Sequence, residues 1–295
     1  MVPSRPSQTA EAVCFMRATE QARPQAARIL DDPYAAAFLG PLSRAALGLG
    51  RRSPLAVGAG VVPQLTTYIL CRHRLIDDAL VAALARAEDR VEQVVVLGAG
   101  YDARAWRFAD ALAGRPVFEV DFPATQARKE RILRGLDLPE VDVRRVPIDF
   151  QVDALGAVLA KAGFVPGRPT FFVWEGVSMY LRREAVVGTL ETLHALGGPG
   201  STLAMDFWFV LDDPGMTATF HRATASLLSL LGEPITFALH PEEAPHFCAR
   251  HGWQVRDLAD AAELARRYVR DGRRVYPANA VLIATPSSTA ASPTT

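Results

Sequence analysis

The chain contains very little lysine and carries no net charge. Lysine occurs only at Lys129 and Lys161, and the 32 basic residues are balanced by 32 acidic ones. A neutral chain creates no general attractive field for the phosphates of nucleic acid or for an acidic membrane surface. We therefore expect neither nucleic acid nor a membrane as a partner.

Cysteine and long apolar runs are also scarce. Cys14, Cys71 and Cys248 are odd in number and far apart, which does not suit a disulfide framework and predicts a reducing, cytoplasmic location. The apolar stretch 55–70 contains glycine, proline and glutamine and is too short to span a bilayer. Charged residues interrupt the N-terminal segment, so we expect no targeting sequence there.

The most informative segment that is present is VEQVVVLGAGYDAR, residues 91–104. Its continuous apolar run, residues 94–97, predicts a strand that is covered on both faces of a parallel sheet. Gly98, Ala99 and Gly100 then allow a tight turn and leave no bulky side chain between the backbone and a ligand. The segment predicts an α/β fold with a nucleotide-type pocket.

This turn, together with Ala103, also fits the looser dinucleotide fingerprint G-x-G-x-x-A. Asp102 weighs against a dinucleotide, because it falls at the predicted helix start where a pyrophosphate would bind free amides. A carboxylate at that place satisfies amides itself and repels a second anion. A ligand without phosphates therefore fits better.

Acidic residues follow at the ends of three further predicted strands. Asp121 lies near the end of VFEVDFP, Asp149 at the end of RRVPIDF, and Glu175 ends the strand that opens FFVWEGVSMYL. A carboxylate in the position of Asp121 can accept hydrogen bonds from both hydroxyls of a ribose. Asp149 suits an adenine amino group. S-adenosylmethionine fits this set, because it carries a ribose, an adenine and two cationic groups but no phosphate.

Four segments in this order, LGAGYDARAWR, VFEVDFP, VPIDF and WEGVSMYL, resemble the leucine carboxyl methyltransferase family. Its members are S-adenosylmethionine-dependent O-methyltransferases, and the chain looks most like the bacterial small-molecule branch. The resemblance runs from about Ala10 to about Thr285, and ILDDPYAAAFL and CRHRLIDDAL are also similar to family segments. It implies a Rossmann-like class I methyltransferase sheet with an N-terminal helical region and an inserted helical cover.

The resemblance also implies roles for individual residues. Arg72 would contact the methionine carboxylate, and Arg17 matches a region with another basic contact. The remaining cofactor contacts that it implies are Gly98, Asp121, Asp149, Phe150 and Glu175. Arg104 is expected to brace its helix against an acid. Tyr180 is a candidate catalytic and acceptor-binding residue, although core packing would also explain it.

We expect one domain, residues 1–285, and a disordered tail that is rich in serine, threonine and proline. Its predicted segments are a helical cap at 1–90, a sheet core at 91–206, a helical cover at 207–252, closing strands at 253–285 and the tail at 286–295. Trp208 and Phe220 of the cover are candidate acceptor contacts, because their aromatic side chains suit an apolar molecule.

The helix that carries Arg72 gives two further expectations. Ile76, Leu80 and Leu84 are spaced to share a buried face, while Asp77, Asp78 and Arg86 stay exposed to solvent. His73 is expected to point to a different side from Arg72.

A histidine-rich segment, residues 240–251, is considered as a metal site because it contains several possible ligands. His240, His246, Cys248 and His251 have a spacing that matches no structural zinc pattern, so we expect no metal.

The expected reaction is the in-line displacement of a methyl group from a sulfonium, in which positioning is the main task. A carboxylate acceptor is already ionised, whereas a phenol or alcohol needs a base. No histidine lies within the four segments, which favours a carboxylate, and a small apolar secondary metabolite is the expected acceptor. Three alternatives stay open: a protein C-terminal carboxylate, an NAD-dependent oxidoreductase, and a partner subunit without catalysis.

Overall fold

The computed structural model describes residues 8–52, 63–150, 152–210 and 235–287. Seven strands form one sheet. They are β1 (Gln93–Leu97), β2 (Val117–Asp121), β3 (Val143–Pro147), β4 (Thr170–Trp174), β5 (Thr202–Trp208), β6 (Trp253–Ala259) and β7 (Asn279–Pro286). Their order in the sheet is β3-β2-β1-β4-β5-β7-β6, and only β7 runs antiparallel to its neighbours.

Helices cover both faces of this sheet. Those among the described residues are α1 (Gln8–Glu20), α2 (Pro41–Arg52), α3 (Pro63–Leu84), α4 (Arg104–Arg107), α5 (Ala109–Leu112), α6 (Pro123–Leu133), α7 (Leu155–Lys161), α8 (Arg183–Leu196), α9 (Ala244–Arg250) and α10 (Ala261–Tyr268). Short 3-10 helices occur at Gln25–Ala27, Ala35–Phe38 and Ser178–Tyr180. None of the described helices is long and apolar enough to cross a membrane.

Strand β1 shows how the core is divided between the two faces of the sheet. Its five residues are all buried, as its continuous apolar run predicts. Val94 and Val96 pack into the cluster that includes the buried face of α3, whereas Val95 and Leu97 pack into the cluster that includes α8. This alternation follows from the two-residue repeat of a strand.

The connections of β1 place a crevice at one edge of the sheet. After β1 the chain forms β2 and β3 on one side and then returns to form β4 on the other side of β1. The loops that follow β1 and β4 therefore leave in opposite directions. Ligands bind at such a switch point, beyond the carboxyl ends of the strands.

Two predicted boundaries, at the ends of β3 and β5, differ from the structure. Strand β3 ends at Pro147, so Asp149 lies in the loop beyond it. Strand β5 continues to Trp208, so the segment predicted as a cover begins with sheet. Most of that segment, residues 211–234, lies outside the described residues, and so does Phe220 within it.

The closing pair is longer than predicted at its C-terminal end. Pro286, predicted to begin the tail, ends β7, and the amide of Ser287 donates to the carbonyl of Gly252. The rest of the predicted tail, 288–295, lies outside the described residues.

Candidate active site

A cavity lies at the switch point, beyond the carboxyl ends of β1, β2 and β4. The loop 98–102 after β1, Asp121 at the end of β2 and the loop 175–177 after β4 line it. Helices α1 and α3 contribute Arg17 and Arg72 to the same cavity. Residues from distant parts of the sequence thus meet where the fold leaves space for a ligand.

The turn after β1 requires glycine. Gly98 and Gly100 have φ values of +63° and +45°, in the left-handed region that other residues rarely adopt. A Cβ on Gly98 would lie 2.3 Å from Cγ2 of Val177, and one on Gly100 would lie 3.3 Å from Cβ of Ala10. Ala99, between them, also lines the cavity.

Asp121 holds this turn from the neighbouring strand. Its Oδ2 accepts a hydrogen bond from the amide of Gly100, and its Oδ1 accepts from the amide of Phe122 at 2.6 Å. Burial raises the pKa of Asp121, while both amides and Lys129 oppose that rise. A carboxylate fixed in this way presents its remaining acceptor positions to the cavity.

Asp149 and Phe150 lie in the loop after β3 and are partly buried. The amide of Asp149 donates to Asp153 at 2.8 Å, and the ring of Phe150 meets Phe122 edge-on, with centroids 6.0 Å apart. Neither residue is among those that line the cavity. Their predicted contact with an adenine stays a prediction.

Arg72 is held by two carboxylates. Its Nε donates to Oε1 of Glu175 at 2.7 Å, and its Nη1 donates to Oδ2 of Asp206 at 2.6 Å. Asp206, fully buried in β5, also accepts from the amide of Gly176 at 2.6 Å. It was not singled out from the sequence, although an acid within a buried strand is itself a signal that a partner is needed.

Arg104 joins three acidic side chains, which supports its expected bracing role. Its Nη1 contacts Oε2 of Glu175 at 2.8 Å and also pairs with Asp102, while its Nε donates to Asp77 at 2.6 Å. The expectation that Asp77 stays exposed is wrong, because only 3% of its surface is accessible. Nη2 of Arg107 pairs with the other carboxylate oxygen of Asp77 at 2.6 Å, so two guanidinium groups compensate the burial of Asp77.

Asp102 accepts the hydrogen bond of a backbone amide to which a phosphate would otherwise bind. Its Oδ1 accepts from the amide of Arg104 at 2.7 Å, at the start of α4. Burial raises the pKa of Asp102, but Arg104, Lys129 and the amide outweigh it, so the pKa lies below its usual value. The expectation of a carboxylate that satisfies the helix start is confirmed.

His73 was expected to point away from Arg72, and this is wrong. Its Nδ1 lies 2.5 Å from Oε1 of Glu175, the oxygen that Arg72 also contacts, and His73 lines the cavity. Two consecutive side chains of α3 therefore reach one carboxylate. Burial raises the pKa of Glu175, but His73, Arg104 and Arg72 together place it well below its usual value.

Besides Nδ1 of His73, two buried polar atoms beside the cavity have no hydrogen-bond partner among the described residues. Arg17 donates from Nη1 to Asp32 at 2.8 Å and from Nη2 to the carbonyl of Tyr101 at 2.7 Å, but its Nε has no acceptor. The hydroxyl of Tyr101 is also unpartnered. Both residues line the cavity, so a polar ligand could satisfy them.

The two predicted acceptor contacts that the structure describes differ in their positions. Tyr180 ends the 3-10 helix after β4 and lines the cavity. Trp208 lies in β5, is 4% exposed, and packs with its ring centroid 5.8 Å from that of Tyr276. Trp208 therefore packs in the core and does not line this cavity, and its predicted acceptor contact stays a prediction.

Among the described residues, one group of side chains has the spacing of a metal site. Ligand atoms of His73, Asp102 and Glu175 lie within 4.8 Å of one another. Arg104 pairs with both carboxylates and Arg72 with Glu175, so a dication would have to displace guanidinium groups. The group is better described as an ion-pair network.

Comparison with known proteins identifies the family. The leucine carboxyl methyltransferase family matches residues 10–194. The chain belongs to this family. A Mycolicibacterium smegmatis protein, named for a proposed S-adenosyl-L-methionine-dependent methyltransferase activity, is 38% identical over 207 residues, which are 67% of this chain and 65% of that relative. The match thus spans slightly less than two thirds of that relative.

Longer matches and solved structures agree with this assignment. A Frankia alni protein with the same kind of name is 32% identical over 271 residues, covering 90% of this chain and 89% of the relative. A structure of a Streptomyces avermitilis protein of the DUF574 family has a TM-score of 0.56 at 16% identity and covers 92% of this chain and 97% of its own. Together with the strand order, this confirms the Rossmann-like class I methyltransferase fold.

Within this family member, the structure brings most of the predicted cofactor residues to one cavity. They are Arg17, Arg72, Gly98, Ala99, Gly100, Asp121 and Glu175. Asp149 and Phe150 lie at the next strand end, outside its lining.

Proposed function

We propose that this member of the leucine carboxyl methyltransferase family is an S-adenosylmethionine-dependent O-methyltransferase. Its proposed acceptor is a carboxylate, or a phenol, of a small apolar secondary metabolite. The observation that carries the proposal is the single cavity in which the glycine turn, Asp121 and the Arg72–Glu175 pair meet.

The polar groups of the cavity fit this cofactor. Asp121 can accept hydrogen bonds from the ribose hydroxyls. Nε of Arg17 has no acceptor among the described residues and can donate to the ligand. Arg72 and Glu175 supply opposite charges for a carboxylate and an ammonium at the amino-acid end. When bound, the cofactor supplies a methyl group activated by a sulfonium.

The residues of this chain would act by binding and orientation. Arg72, Arg104 and Asp206 fix Glu175 and the loop after β4, so this wall of the cavity is organised before a ligand enters. Tyr180 lines the cavity and could orient the acceptor oxygen through its hydroxyl. Holding that oxygen near the methyl carbon, about 3 Å away and in line with the breaking bond, is the catalytic task.

The choice of a carboxylate rests mainly on the family. The absence of histidine from the four sequence segments does not exclude a base, because His73 of α3 lines the cavity. The family is named for carboxyl methylation, and a carboxylate arrives ionised without any base. A protein C-terminal carboxylate has the same support from the name.

An NAD-dependent oxidoreductase has less support, because Asp102 already takes the amide that a pyrophosphate would use. The complete ion-pair network likewise argues against a partner subunit that has lost its ligand.

The cofactor can be tested by calorimetry with S-adenosylhomocysteine and NAD. We expect binding of the first and none of the second. Asp121→Asn should weaken S-adenosylhomocysteine by about 1–3 kcal/mol, because an amide cannot accept at both oxygen positions. Asp142→Asn is the matched control, since Asp142 pairs with Arg144 on the surface and should have no effect. Binding of NAD alone would refute the proposal.

The acceptor class can be tested through the product. With a radiolabelled methyl donor and a panel of small aromatic and aliphatic acids and phenols, we expect label in a methyl ester. Alkali releases an ester's methyl group as volatile methanol, whereas a phenol ether retains it. Label that stays in the product after alkaline treatment would show that the acceptor is a phenol and not a carboxylate.

A further inference from the structure

Glu175 keeps acceptor capacity on Oε2. A carboxylate offers about four lone-pair positions. Oε1 of Glu175 has Nε of Arg72 at 2.7 Å and Nδ1 of His73 at 2.5 Å, while Oε2 has Nη1 of Arg104 at 2.8 Å. One position on Oε2 is therefore available to a donor, and Glu175 lines the cavity.

His73 offers a second acceptor in the same cavity. Its Nδ1 makes no aligned hydrogen bond but lies 2.5 Å from Oε1 of Glu175, where a lone pair would repel the carboxylate, so in the neutral ring the proton belongs on Nδ1 and the lone pair on Nε2. Nδ1 is the nitrogen of this ring that is fully buried without a hydrogen bond, Nε2 is not among such buried atoms of the described residues, and His73 lines the cavity. The neutral ring thus presents an acceptor where the protonated ring would present a donor and a positive charge.

The charges around His73 favour the neutral ring. The titratable and charged groups that face it are Glu175, Asp102, Arg72, Arg104 and Arg17. Burial is the largest influence and lowers the pKa of His73 below its usual 6.5, with help from Arg104 and Arg17 and against Glu175. At neutral pH the acceptor form is therefore present.

We propose that Nε2 of His73 and Oε2 of Glu175 together bind the ammonium group at the amino-acid end of the cofactor, and that His73 does so only when neutral. This assignment rests on the proposed function. An ammonium group donates three hydrogen bonds, and these two atoms can accept two of them. Arg72, beside them, carries the charge that suits the neighbouring carboxylate.

The proposal fixes the direction of a pH effect. A protonated His73 must lose its proton before the ammonium group can bind, so binding and deprotonation are linked. Affinity should be constant above about pH 6.5 and should fall by up to about tenfold for each pH unit below the pKa of His73. Glu175 stays ionised throughout this range, because its pKa lies well below the usual value.

The test is calorimetric binding of S-adenosylhomocysteine between about pH 5 and about pH 8. 5′-Methylthioadenosine, which has the nucleoside but no amino-acid end, is the matched ligand. We expect the affinity of S-adenosylhomocysteine to fall in acid and that of 5′-methylthioadenosine to stay level. His73→Gln keeps an uncharged acceptor and should abolish the fall, whereas His246→Gln, on the exposed surface of α9, should retain it.

Proton release gives a readout that needs no variant. At a pH where the affinity of S-adenosylhomocysteine is falling, binding heats measured in two buffers of different ionisation enthalpy should show a proton released with S-adenosylhomocysteine and none with 5′-methylthioadenosine. An equal fall for both ligands, an unchanged fall in His73→Gln, or no proton release would overturn the assignment. Failure of S-adenosylhomocysteine to bind at any pH would instead refute the proposed function.

Discussion

Replacing Arg104 with methionine is expected to lower the free energy of unfolding by about 3–5 kcal/mol. The guanidinium group is buried and pairs with Asp77, Asp102 and Glu175. Methionine fills much of the same volume as arginine but carries no charge. Asp102 would lose its ion pair, and Asp77 and Glu175 would each keep fewer ion pairs. Loss of one partner in a buried ion-pair group is costly because the remaining charges stay out of water.

Urea denaturation at neutral pH measures this loss, and Arg266→Met is the matched control. Arg266 pairs with Glu263 on the exposed surface of α10, where solvent screens the two charges, so its replacement should change the stability little. Similar losses in the two variants would contradict the role of Arg104 as the centre of the network.

The loss should also depend on pH in a defined direction. The pKa values of Asp102 and Glu175 lie below their usual values in the folded protein, partly because of Arg104. Their pairing therefore stabilises the fold above the unfolded-state pKa values and loses effect as the pH falls through the folded ones. The difference between wild type and Arg104→Met should be full at pH 7 and should shrink in acid.

The local part of the site could be predicted from the sequence. The apolar run of β1, the glycines after it and the acid at the end of β2 depend on strand alternation and turn geometry, which neighbouring residues determine. Since the carboxyl ends of parallel strands share one edge of a sheet, Gly98, Asp121 and Glu175 could be placed together before the structure was known.

The pairings between distant residues could not be predicted in this way. Helical periodicity places Asp77 on the polar side of α3, but its burial depends on Arg104, which lies 27 positions away in the sequence. His73 and Asp206 likewise acquire their roles only through Glu175 and Arg72. Trp208 was misplaced for a different reason: two extra residues in β5 move its side chain from a predicted cover into the core.

Gly98→Ala is expected to reduce both stability and cofactor affinity. The φ of +63° costs an alanine about 1–2 kcal/mol, and its Cβ would lie 2.3 Å from Cγ2 of Val177. That overlap forces the loop after β1 or the loop after β4 to move, at a further cost of about 1–3 kcal/mol. Both loops line the cavity, so S-adenosylhomocysteine should bind roughly tenfold or more weakly, as a loss of about 1.4 kcal/mol implies.

Gly114→Ala separates the two causes. Gly114 has a similar φ of +74°, but a Cβ there would meet nothing within 4 Å. This variant should lose only the backbone part of the stability and none of the affinity. Val177→Ala removes the atom that the new Cβ would strike, so combining it with Gly98→Ala should restore part of the affinity. Calorimetry with S-adenosylhomocysteine on Gly98→Ala, Gly114→Ala, Val177→Ala and the double variant measures these affinities. Equal affinity of Gly98→Ala and Gly114→Ala would contradict a cofactor-binding role of the turn.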